Sequence, residues 1–202
     1  MPSALDSKPL RAFSPVMAGV RIQYLGSNIM KYLTKIILIF SISLSVYASN
    51  ELQSDIVKST VIANNIAKAT LSKDYDYVIN QTHPKIIKNM GGRKKSIEAF
   101  HATFESNRFE ITEFSVDTPT QVIRSKNKIF VIIPTKISMR VSNVIATGKG
   151  YFLSISEDKG KNWFFIDGMG FKKDPSLMLK LFPDLPSELK LPQIPPPTIK
   201  KL

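Results

Sequence analysis

His83 and His101 are the only imidazoles in the 202-residue chain, which contains no cysteine. Thiol nucleophiles, structural disulfides and a lipidated N-terminal cysteine are therefore excluded. Two histidines without a carboxylate cluster at ligand spacing give no metal-site signature, and no cofactor is expected. Proton transfer by imidazole or carboxylate is the chemistry left to consider. His101 stands at helical spacing with Ile97 and Phe104, so its ring either points into a pocket as a base or is a hydrogen-bonded core histidine. His83 precedes Pro84 at a helix junction, where capping or packing between turns is expected. Asp167 ends a strand-like run and shares a face with Trp163 and Phe165 by alternation. A carboxyl enclosed by apolar groups has a raised pKa and can act as general acid or base. The competing reading is that Asp167-Gly168 is where the strand turns out into solvent. Asp167 and His101 are thus the catalytic candidates, and a catalytic pair requires both to reach one cavity. Tyr75, Tyr77 and Tyr151 could line or gate such a pocket, although aromatic residues more often serve packing.

These residues depend on the elements that carry them. Glu51 to about Leu71 contains neither glycine nor proline, and Leu52, Ile56, Ala63, Ile66, Ala67 and Thr70 recur at helical spacing, which predicts a long helix. Asp74 is an N-cap for a short helix through Tyr75, Val78 and Ile79, ended by His83-Pro84. Pro84 suits the first turn of the next segment, Lys85 to Met90, which Gly91-Gly92 closes. Arg93 to Glu105 forms a further helix with Ile97, Phe100, His101 and Phe104 on one face.

After Asn107 the period changes from 3.6 to 2. Phe109 to Val116, Thr120 to Arg124, Ile129 to Ser142, Lys149 to Ser156 and Asn162 to Asp167 read as strands, with a hairpin turn at Ser125 to Lys128. In the longest, Ile129, Val131, Ile133, Thr135, Ile137, Met139 and Val141 share one face, and Lys136, Ser138, Arg140 and Ser142 the other. Pro134 cannot donate to a ladder and predicts a bulge or an edge position. Helices followed by antiparallel strands make the fold class α+β. Asp174-Pro175 starts a short helix stopped by Pro183, and Pro186, Pro192, Pro195, Pro196 and Pro197 impose an extended end over residues 172–202. The loose PxxP pattern Pro192 to Pro195 reads as a strap along the domain or a frayed end.

Ser156-Glu157-Asp158-Lys159-Gly160-Lys161-Asn162-Trp163 resembles the Asp-box hairpin of sialidase propellers, with Asn162 where threonine is usual. Asp158 is expected to accept backbone N–H groups across the turn, Gly160 to adopt a left-handed conformation and Trp163 to pack beneath. A single copy in a chain too short for a propeller implies a structural turn and argues against glycosidase activity.

Helices packed on one side of a long, curved antiparallel sheet, in this order, resemble the nuclear transport factor 2-like superfamily over 49–171. Its fold is a cone around a pocket. The segments His83 to Arg93, Ser156 to Trp163 and Leu181-Phe182-Pro183-Asp184-Leu185-Pro186 are also similar to a family of bacterial secreted proteins with an HP…GG motif. The resemblance implies a pocket for a small apolar or amphipathic ligand, with Ile133, Ile137, Met139, Phe104 and Tyr151 as its wall. Two other functions are consistent with it: a cofactor-free lyase or isomerase using Asp167 and His101, and an interaction module that forms a homodimer or docks a partner through the sheet face. Such a fold hosts many unrelated functions, so the residues of the site must decide.

Residues 30–48 read as a signal peptide beginning at an internal methionine. Lys31 and Lys35 form its positive region, about a dozen mostly apolar residues follow, and cleavage falls between Ala48 and Ser49. Residues 1–29 are then an N-terminal extension from a misassigned start, and the mature protein is periplasmic or secreted, with no stable membrane anchor after processing. Residues 1–48 carry five of the Lys and Arg residues against Asp6, so +8 of the formal +12 falls on the remainder. Export excludes nucleic acid as a partner despite this basicity.

Overall fold

The computed structural model describes residues 51–105 and 109–202. The extension at 1–29, the signal segment 30–48 and the cleavage position Ala48-Ser49 lie outside the described residues.

Helix α1 occupies residues 51–71. Its buried stripe runs through Asp55, Ser59, Ala63, Ile66 and Thr70, while Leu52 stays exposed. The first turns thus bury polar groups where leucine was expected, because Asp55 finds a cation across the interface: Arg124 donates to Asp55 Oδ2 from Nε at 3.1 Å and also from Nη2. Ser59 Oγ donates to the Asp55 carbonyl at 2.7 Å, so the second buried polar group is satisfied within the helix.

The next three helices follow their local signals. α2 (Tyr75–Gln81) is capped by Asp74, whose Oδ1 accepts from Tyr77 N at 3.0 Å. α3 (Pro84–Asn89) has proline in its first turn and His83 as N-cap, the imidazole Nδ1 accepting from Lys85 N at 3.2 Å. Gly91 and Gly92, at φ 90° and 95°, reverse the chain into α4 (Arg93–Phe104).

Six antiparallel strands form one open sheet: β1 (Glu110–Val116), β2 (Gln121–Ser125), β3 (Lys128–Val141), β4 (Val144–Ser156), β5 (Phe164–Asp167) and β6 (Thr198–Lys201). The long β3–β4 hairpin is its spine. β2 and β1 pair in succession along one edge of β3, and β5 and β6 in succession along the free edge of β4. Pro134 sits in the interior of β3, neither at a bulge nor on an edge strand, and its pairing with β4 continues through Tyr151 without a shift. Its missing N–H falls where the partner of β3 changes from β2 to β1, and its carbonyl accepts from Asp117 N at 2.9 Å. A two-residue turn, Ser142-Asn143, joins β3 to β4, so β4 begins at Val144 rather than near Lys149. Ser142 takes the left-handed conformation that such a turn requires (φ 52°).

Both faces of the sheet are covered over the first half of β3. Ile129, Val131 and Ile133 pack with Phe152, Trp163 and Phe165 against Ala63 and Ile66 of α1 and Val78 of α2. Phe130, Ile132, Leu153 and Ile166 pack on the other face against Met178 of α5 (Pro175–Leu181), Phe182 and Leu189. The run from Ile129 to Ile133 is therefore buried without alternation, as in a strand covered on both sides. The C-terminal segment crosses this outer face as a strap. Gln121 exchanges two hydrogen bonds with the Lys190 backbone, Lys172 Nζ donates to the Pro195 carbonyl at 2.8 Å, and β6 then joins β4.

The β4–β5 hairpin is built on one carboxylate. Asp158 Oδ1 accepts from Lys161 N, Asn162 N and Ser156 Oγ, and Oδ2 from Asn162 Nδ2. These donors, Asn162 N foremost, hold the Asp158 carboxyl down at about 2. Gly160 takes φ 82°, and Trp163 is buried beneath.

Candidate functional site: an apolar cavity with one carboxylate

The helices fill the space over residues 129–133 but leave it open farther along β3. The result is a cavity of about 530 Å³ between the helices and the inner sheet face. Thr135, Ile137 and Met139 of β3 form its floor with Phe114 of β1 and Phe152 of β4. Phe100 and Phe104 of α4 lie opposite, and Ile66, Thr70 and Val78 close the side toward the packed core. β4 carries Gly148 and Gly150 beside this floor, and Met169 lies across both. A Cβ at Gly150 would come within 2.8 Å of Met169 Cγ and 3.2 Å of Thr135 Oγ1, so glycine is what admits the methionine there.

Among the described residues that line the cavity, Asp167 is the only ionisable one. It ends β5 opposite Phe152 of β4 and caps the 3-10 turn Gly168–Phe171, its Oδ1 accepting from Met169 N at 2.9 Å. Oδ2 accepts no hydrogen bond among the described residues. Asp167 is exposed, in keeping with a strand that turns out toward solvent at Asp167-Gly168, and it lines the cavity as well. Desolvation by the protein around its carboxyl nevertheless pushes its pKa up to about 6, and the Met169 N–H opposes that shift only in part. Nearby on β4, burial and the Asp167 charge together push the Tyr151 phenol up.

The hydroxyls of Thr70 and Thr82 donate to the carbonyls of Ile66 and Val78 on their own helices, each at 2.8 Å. Their hydrogens are thus spent locally, and these two residues show the cavity oxygen lone pairs.

Of the residues expected at a pocket, Phe104, Ile137 and Met139 line this cavity. Ile133 does not: it is fully buried in the packed part of the same strand face, under α1. Tyr151 is also elsewhere, because Phe152 next to it takes the cavity side, and strand alternation sends Tyr151 to the outer core. The proposed catalytic pair does not assemble. His101 lies half exposed on α4 with Nδ1 3.0 Å from Glu105 Oε1, one turn along the helix, and is not among the cavity residues. Its ring meets the edge of Tyr75 rather than the Asp167 carboxylate. Helical spacing with Phe104 placed His101 near the apolar face, but the ring lies half exposed beside Glu105, one turn along the helix. His83 is buried between Phe164 and Phe182, where burial lowers its pKa.

Sequence reasoning missed Met169, Thr70, Thr82 and the phenylalanines of β1 and β4. The Gly148-x-Gly150 spacing on one strand face was the available signal that a side chain crosses the sheet there. Among the described residues, no group of three His, Asp or Glu could hold a metal ion, and no helix is long and apolar enough to cross a membrane.

No protein-family model matches the chain, and no curated protein or solved structure is significantly similar to it.

Proposed function

We propose that this protein binds a small apolar or amphipathic ligand in the cavity between its helices and the inner sheet face. The observation that supports the reading is the cavity itself: about 530 Å³, walled almost wholly by apolar side chains. Clefts that hold small organic ligands commonly measure about 300–1,000 Å³ and combine apolar walls with a few polar groups. A lyase or isomerase reading lacks the second proton-transfer group that it required, since His101 is not among the cavity residues and lies against Glu105. The signal-like segment at 30–48 supports export as the route by which the domain meets its ligand. The helices-then-sheet order is consistent with a nuclear transport factor 2-like cone.

The test is titration of the purified protein with the neutral fluorescent dye Nile red, alongside an Ile137→Trp variant that fills the cavity floor. Saturable binding that the variant abolishes, with its circular dichroism unchanged, supports the proposal. No binding, or equal binding by the filled variant, rules it out.

A further inference from the structure

Taking that cavity as a ligand site, we infer that it selects amphiphiles whose polar end is a protonated amine, with the ammonium group held by Asp167. The inference rests on the proposed binding role and adds the chemical class of the ligand. First, among the described residues the wall carries one carboxylate and no lysine, arginine or histidine, so the charge that they bring to the cavity is negative. Second, Asp167 Oδ1 has one partner, Met169 N, and Oδ2 has none among the described residues. A carboxylate offers about four lone-pair sites, so most of its accepting capacity is open to a group with several donors. An ammonium has three. Third, Thr70 and Thr82 spend their hydroxyl hydrogens on helix carbonyls and so cannot solvate an anion. Fourth, Phe114, Phe152 and Phe165 form a chain of contacting rings beside Asp167, with successive centroids 5.8 and 5.9 Å apart. Aromatic faces attract cations, and this attraction strengthens where water is excluded. The carboxylate and the ring faces favour a cation, and the two threonines with spent hydrogens give an anion no help.

The charged and titratable surroundings of Asp167 are few. The Tyr151 phenol interacts with it from β4, and the lining residues of α1, α2, α3 and α4 contribute no ionisable group. An ammonium ligand would offset the burial that raises the Asp167 pKa, so amine affinity should fall as the carboxyl protonates.

The experiment displaces Nile red from the purified protein with decylamine, decanol and decanoate, which share a chain and differ in the polar end. At about pH 7.5 decylamine should bind about tenfold more tightly than decanol, the scale of one charge-assisted hydrogen bond, and decanoate most weakly. Asp167→Asn should bring decylamine to the level of decanol. In the wild type, a control that needs no variant, the amine preference should shrink when the pH is lowered to about 4.5. Decanoate binding as tightly as decylamine, or a preference that survives in Asp167→Asn, overturns the inference but leaves the cavity as a binding site. Displacement by none of the three also overturns the inference, whereas the binding role itself falls only if Nile red fails to bind or binds the Ile137→Trp variant equally.

Discussion

Replacing Asp167 with asparagine should stabilise the unliganded protein at neutral pH. Asparagine keeps an oxygen to accept from Met169 N, so the cap on the 3-10 turn is retained while the charge is lost. The folded-state pKa of Asp167 is about 6, above the usual 3.8, so ionisation costs the folded state more than the unfolded one. A raised acid favours folding fully below its unfolded value and loses that contribution as the pH rises through about 6. Taken whole, a difference of this size corresponds to about 3 kcal/mol above both values. Asp167 is exposed, and screening by solvent reduces the expected gain to about 1 kcal/mol. In a domain of this size that is about 2–4 °C in Tm. Trp163, the one tryptophan of the chain and a buried one, reports unfolding by fluorescence. Urea denaturation of wild type and Asp167→Asn at about pH 4 and about pH 8 should show the advantage of the variant only at the higher pH. A variant that is less stable at pH 8, or a difference independent of pH, would refute the account of a desolvated, unpaired carboxylate.

Arg124→Met should cost about 3 kcal/mol, because it strands the buried Asp55 carboxylate at the α1–β2 contact. The double variant with Asp55→Asn should recover more than half of that loss, which a double-mutant cycle in urea would measure. Gly160→Ala should destabilise by about 2 kcal/mol in thermal melts. It places a side chain at φ 82° with its Cβ only 2.7 Å from Asp55 Oδ1, and substituting serine at Asp55 should relieve part of the cost. His83→Ala removes the α3 cap and the ring edge against Phe182, for about 2 kcal/mol together. Because burial lowers the His83 pKa, its contribution is present above 6.5 and lost as the pH falls through the folded value. The acid-induced loss of stability beginning below 6.5 should therefore flatten in a His83→Gln variant that still folds.

What the chain determined by itself was local. Asp74, the pair His83-Pro84, Gly91-Gly92 and Asp174-Pro175 act within a few residues through caps and restricted dihedrals, and the helix limits fall where they direct. The hairpin around Asp158 is equally local, since its donors lie within four residues of the carboxylate. Alternation along β3 correctly assigned Ile137 and Met139 to one face, and the order of helices and strands was enough for the α+β class. Tertiary structure decided what depends on segments distant in the chain. Thr198–Lys201 is exposed at every position and has no strand-like burial of its own; it becomes β6 because the edge of β4 beside it needs partners. Ile129 to Ile133 is buried on both faces only because α5 and the strap arrive from more than 40 residues later. The separation of His101 from Asp167 and the displacement of Tyr151 to the outer core follow from which neighbour each meets. So does the cavity, since its volume is set by how far α4 stands from the β3 floor, a distance that no local pattern encodes.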